Sequence, residues 1–93
     1  MLDVIWSVKA ETSFKLIIDQ IEIAWSFQTA SKFIIRTDKL LQTLKQNPLL
    51  FAETNIFGVR KAIITKQTSI LYKVSKTHIE ILFFWDNRQD PVF

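Results

Sequence analysis

The apolar residues of this chain change their spacing once, and that change limits what it can fold into. Over residues 8–44 they recur every three or four positions; over residues 59–85 they fall into short β-rich runs joined by links of a few residues. Phe14, Ile17, Ile18, Ile21 and Trp25 form one stripe. Ala30, Phe33, Ile34, Thr37, Leu40, Leu41 and Leu44 form a second, and both have the pattern of amphipathic helices. Ser7 is placed to cap the first helix. Residues 26–29 are a polar break, and Asn47-Pro48 ends the second helix because proline has no N–H to donate. Facing stripes with a short link predict an antiparallel helical hairpin.

A short Val/Ile run at residues 2–6 precedes the hairpin, and strand-like runs at 59–65, 69–74 and 78–85 follow it. The late links are too short for a parallel crossover, so these runs must be antiparallel neighbours. In the last run Ile79, Ile81 and Phe83 alternate with His78, Glu80 and Leu82, which predicts one apolar face. The aromatics Phe83-Phe84-Trp85, with Trp6 and Trp25, are expected in the core. Residues 49–57 read as a connector packed on the core, and Gly58, the only glycine, as a turn. The expected fold is α+β in two layers. An N-terminal strand and an antiparallel helical hairpin pack on one face of a small antiparallel sheet, as a single domain over residues 1–93. The hairpin would shield one face and leave the other to a partner.

Charge divides along the same line. Residues 1–58 carry six basic and six acidic side chains, whereas residues 59–93 carry six basic and three acidic, so the formal charge of +3 lies in the sheet half. From Arg60 to Lys76 there are five cations (Arg60, Lys61, Lys66, Lys73, Lys76) and no carboxylate. Such a surface is suited to a polyanion or an acidic partner. Alternation puts Arg60 and Lys66 on one face of their strand and Lys61 on the other. Lys73 and Lys76 flank a hairpin and read as lysines that keep an edge soluble.

With no cysteine and one histidine, neither a thiolate metal site nor a histidine cluster can form, and no metal or cofactor is expected. No stretch reaches the roughly 18–20 apolar residues of a membrane span, and no basic region leads into an apolar run at the N-terminus. A cytoplasmic protein with no membrane contact is expected.

The order strand, two helices, three-strand meander resembles the RelE/ParE toxin superfamily of bacterial type II toxin–antitoxin modules. The residues that carry the resemblance are Val4-Ile-Trp-Ser7, Trp25-Ser26 and Arg60-Lys-Ala-Ile-Ile-Thr-Lys66, with Leu71-Tyr-Lys-Val74 and Ile79-Glu-Ile-Leu-Phe-Phe-Trp-Asp-Asn-Arg-Gln-Asp-Pro91. The resemblance covers essentially the whole chain. It implies a small cytoplasmic toxin, of the kind that stabilises plasmids, held inactive by a cognate antitoxin in a hetero-oligomer. RelE-like members cleave mRNA on the ribosome without a metal, and ParE-like members poison DNA gyrase. A toxin-derived interaction domain without toxicity is the third reading.

Cleavage of RNA through its own 2′-OH needs a proton acceptor, cations for the phosphorane and a donor for the leaving oxygen. By the resemblance, Arg60, Lys61, Lys66 and Arg88 are the candidate target- or nucleic-acid-binding cations. Tyr72 and His78 are the candidates for proton transfer, each with a structural alternative: sheet packing for Tyr72, a solvated strand end for His78. Two positions depart from the nucleases. The terminal aromatic is Phe93, without a hydroxyl, and the start of the central strand reads Thr68-Ser69-Ile70 where nucleases tend to place an arginine. Both departures favour the ParE-like reading.

Overall fold

The computed structural model describes residues 2–89. Strand β1 (Asp3–Trp6) leads into helices α1 (Val8–Ala24) and α2 (Phe27–Gln46), and strands β2 (Val59–Thr65), β3 (Thr68–Val74) and β4 (His78–Asp86) follow. The sheet order is β1-β4-β3-β2. The late strands pair antiparallel, as their short links require, while β1 joins β4 in parallel, so the four-stranded sheet is mixed. The N-terminal strand thus lies in the sheet itself and forms one of its edges.

Each helix is started by a serine. The Ser7 side chain accepts from the Ala10 N–H and the Ser26 side chain from the Thr29 N–H, each satisfying one of the orphan donors of a first turn. The break between the helices is shorter than the sequence predicts, because Phe27 and Thr29 are already helical. Trp25 also departs from expectation. It follows the last residue of α1 with φ −127° and ψ −83°, leaves the helical stripe, and is 75% exposed. Ile34 lies at the margin of its stripe and is 42% exposed.

The core lies between the hairpin and one face of the sheet. Ala10, Phe33, Leu41 and Leu44 from the helices meet Ala62, Ile64, Ile70, Tyr72, Ile79, Ile81 and Phe84 from the strands. Trp6, Phe14, Phe33 and Phe84 form its aromatic centre, with ring centroids 4.8–5.9 Å apart in four contacts.

Phe84 rather than Phe83 occupies this face because β4 carries a bulge. Leu71 pairs with Phe83 and Tyr72 with Ile81, so Leu82 has no partner and the alternation slips by one residue. The slip turns Phe83 and Trp85 to the face away from the hairpin, where their rings pack edge to face at 6.2 Å and Lys9 lies 4.7 Å over the Phe83 ring. Beyond Trp6, β1 no longer covers the β4 edge, and two serines take its place. The Ser7 N–H donates to the Ile81 carbonyl at 3.0 Å and the Ser7 hydroxyl to the Leu82 carbonyl at 2.7 Å. The Phe84 N–H donates to the Ser13 hydroxyl at 3.0 Å. Replacing Ser7 with alanine removes both a helix cap and the partner of a strand carbonyl. It is expected to lower stability by about 1–2 kcal/mol in urea denaturation.

The connector between α2 and β2 is tied to the sheet. Phe51 packs against the core, Glu53 bridges to Arg60, and Gly58 makes the turn into β2 with φ +79°, a conformation open to glycine. Leu49, Leu50 and Ile56 stay exposed, and Phe57 is 92% exposed.

Candidate functional site

The candidate cations do not converge. Register sets Arg60 opposite Tyr72 and Tyr72 opposite Ile81, which places the Arg60 side chain on the hairpin side of the sheet. There its guanidinium donates to the Phe51 carbonyl at 2.6 Å and lies 3.7 Å from the Glu53 carboxylate, with only 20% of the side chain exposed. Arg60 therefore fastens the connector. Lys61 faces the opposite side, in register with Leu71, which lies opposite Phe83. That side is not a bare platform, since Leu71 and Ser69 are fully buried there. Lys66 lies past the end of β2, in its turn to β3 and six residues beyond Arg60, a span of roughly 20 Å along an extended chain. The expected pairing of Arg60 with Lys66 on one face is not formed, because β2 ends at Thr65.

Lys66 and Arg88 do share one end of the sheet. The Asn87 amide donates to the Lys66 carbonyl at 3.3 Å and the Asn87 N–H to the Gln67 carbonyl at 2.7 Å, joining the β2–β3 turn to the end of β4. Arg88 forms a two-pronged pair with Asp86, Nε to Oδ1 at 2.9 Å and an Nη nitrogen to Oδ2 at 2.7 Å. These hydrogen bonds hold the Asp86 carboxyl below the usual carboxylate range against a smaller opposing effect of burial. Asp86 so depressed stabilises the fold above the unfolded carboxylate pKa of about 3.9, and that contribution is lost as pH falls through the lower folded value. Arg88→Gln is expected to return the Asp86 titration towards the ordinary range, as followed by carboxyl-carbon NMR.

This pair borders a cleft of about 410 Å³ between the tip of the hairpin and the end of the sheet. Ile17, Ile21, Ala24 and Trp25 make its apolar side; Thr65, Gln67, Thr68, Asp86 and Arg88 make its polar side. Apart from Arg88, sequence reasoning missed the cleft. Its one available signal was Trp25, which the helical stripe had assigned to the core.

Neither proton-transfer candidate lines this cleft. Tyr72 is fully buried and its hydroxyl donates to the Pro48 carbonyl at 3.0 Å. Burial pushes its phenol up, offset in part by the Arg60 guanidinium and a backbone hydrogen bond at Phe51. His78 starts β4, with its Nδ1 3.1 Å from the Ser75 hydroxyl and 3.0 Å from that of Thr77. Asp86 ends the same strand, so the histidine and the cleft are separated by roughly 26 Å of extended chain. Phe93 lies outside the described residues. Among the described residues, no three His, Asp or Glu side chains are grouped so as to hold a metal ion.

Residues 4–91 match the family model described as the ParE toxin of the type II toxin–antitoxin system, parDE. The chain belongs to the ParE toxin family. Among curated proteins no sequence match is found. Among solved structures, this ParE-family toxin is similar to a chain of the chromosomal ParDE system of P. aeruginosa, at a TM-score of 0.79 and 21% identity over 92% of this chain and 96% of that one. It is similar to a YoeB dimer from Staphylococcus aureus at a TM-score of 0.65 and 20% identity, over 88% and 92% of the two chains. It is similar to the E. coli DinJ–YafQ complex at 0.63 and 14%, over 95% and 96%. At these identities the likenesses establish the fold, the RelE/ParE-like α+β architecture expected from the sequence. In the ParE-family toxin described here, no helix is long and apolar enough to cross a membrane among the described residues.

Proposed function

We propose that this toxin inhibits growth by a ParE-like action on DNA gyrase in the cytoplasm, without cutting RNA, and that a cognate antitoxin holds it inactive. The observation that carries the reading is the dispersal of the catalytic parts. Tyr72 is sealed beneath the connector, His78 stands at the far end of β4, Arg60 is tied to Phe51 and Glu53, and Arg88 is neutralised by Asp86. Acid–base cleavage needs a proton acceptor within about 3 Å of the reacting hydroxyl and cations beside the same phosphate. Tyr72 and Arg60 are cross-strand neighbours, but both side chains are bonded to connector carbonyls, and His78 and Arg88 stand at opposite ends of β4, so no one phosphodiester meets all of these parts. The likeness to the ParDE chain, at a TM-score of 0.79 against 0.65 for YoeB and 0.63 for YafQ, points the same way. The antitoxin follows from the company these folds keep, a ParDE system, a DinJ–YafQ complex and a YoeB–YefM complex.

Induction in growing cells, with DNA breaks and mRNA 5′ ends mapped in parallel, tests the proposal. Double-strand breaks with an SOS response and no new mRNA ends are the expected result. Codon-phased mRNA ends would replace the reading with a RelE-like, ribosome-dependent endoribonuclease. Normal growth would leave only a non-toxic interaction domain.

A further inference from the structure

The hairpin carries apolar side chains on the side that the sheet does not cover. Leu16 and Ile23 on α1 are 58% and 87% exposed, and Ile35 on α2 is 55% exposed. Each lies two residues after a side chain of the core or packed against it (Phe14, Ile21 and Phe33), a step that turns about 200° round a helix. All three therefore face away from the sheet. On α1, Asp19 lies between Leu16 and Ile23, and on α2, Ile35 lies between Lys32 and Lys39, so each row runs two turns along one face.

Charge distinguishes the two rows. Helix α1 sums to −1, with Lys9 and Lys15 against Glu11, Asp19 and Glu22. Helix α2 sums to +3, with Lys32, Arg36, Lys39 and Lys45 against Asp38. Asp19, Glu22, Lys32 and Lys39 are all exposed, and none of them takes part in an ion pair among the described residues. One molecule thus presents an acidic row beside a basic row, both with apolar side chains and neither neutralised.

We infer that a second copy of this chain docks on this face, related by a twofold axis that lays α1 of each copy along α2 of the other. Such a contact uses every feature twice. It covers the exposed leucine and isoleucines and sets the carboxylates of each α1 beside the lysines of the other copy's α2. Laying α1 on α1 would oppose carboxylates, and α2 on α2 would oppose cations. An acidic helix from another protein is a poorer fit, since α2 would attract it and α1 would repel it. The cationic strands lie on the far side of each hairpin and stay apart. Helices of 17 and 20 residues, about 26 and 30 Å long and about 10 Å apart, offer a footprint of roughly 500 Å². That falls short of the roughly 800 Å² per partner of a standard interface, so a micromolar dimer is expected. The inference concerns the free toxin and does not depend on the gyrase reading.

Sedimentation equilibrium of the toxin made by cell-free synthesis, at low salt and rising micromolar concentrations, tests the dimer. The mass is expected to climb from the 10.9 kDa of one chain towards twice that value. Ile23→Ser, at an exposed position outside the core, is expected to weaken self-association about tenfold. Asp19→Lys with Glu22→Lys makes both helices basic, and Lys32→Glu with Lys39→Glu makes both acidic. Each of these double variants is expected to self-associate at least about tenfold more weakly than the parent, with circular dichroism showing that it is folded. Mixing the two is expected to restore a dimer with one chain of each, because every α1 then meets an α2 of opposite charge. The restored dimer should weaken as salt is added. A toxin that stays monomeric throughout would overturn the inference, and so would a dimer indifferent to these changes or a mixture that fails to pair. If the same variants weaken only the complex with the antitoxin, the face belongs to that partner and the inference fails.

Discussion

Phe84→Ala is expected to lose about 3–5 kcal/mol of stability, the range for truncating a buried phenylalanine. Phe84 is 5% exposed and touches the rings of Trp6 and Phe14 at 5.3 and 4.8 Å, so a cavity there loosens β1, α1 and β4 together. A domain of this size typically has about 5–15 kcal/mol in all, so the variant should unfold roughly 15 °C or more below the parent. Phe83→Ala, one residue away on the other face, is expected to cost well under half as much, because Phe83 is only part-buried and lies outside the hairpin core. Urea titration of the two variants reads the difference. Equal losses, or a larger loss at Phe83, would show that the bulge at Leu82 does not set the phase of β4.

That comparison also marks how far the sequence could be read. Periodicity located the hairpin and the late meander, because helix and strand impose different spacings on residues that share a face. It failed where one residue changes the phase. A bulge inserts a residue without requiring glycine or proline, so Ile79, Ile81 and Phe83 look like regular alternation while the fold uses Ile79, Ile81 and Phe84. Trp25 failed for a related reason. Its spacing from Ile21 is helical, but the helix stops one residue before it, and the indole becomes a wall of the cleft. The cations were the least legible part of the site. Whether an arginine on a strand meets a target or its own chain depends on the path of residues 48–57, and that path is set by contacts distant in sequence.

Arg60 and Arg88 should therefore separate under mutation. Arg60→Ala is expected to lower stability by about 2–3 kcal/mol, since it leaves the Phe51 carbonyl without its donor and frees the connector from Glu53. Arg88→Ala is expected to leave stability nearly unchanged, because its pair with Asp86 is an exposed local contact with 71% of the arginine side chain in solvent. Toxicity should divide in the opposite sense. Loss of Arg60 should reduce it only as the folded fraction falls, whereas loss of Arg88, a side chain bordering the cleft, should reduce it in fully folded protein. Glu53→Gln is the control for Arg60. Its carboxylate is 3.7 Å from the guanidinium and 42% exposed, so its removal should cost less than about 1 kcal/mol and show that the Phe51 carbonyl carries most of the effect. Denaturation curves paired with growth on induction decide the matter. An Arg60→Ala toxin as stable as the parent yet harmless would return Arg60 to the target-binding surface and show that it does not clamp the connector.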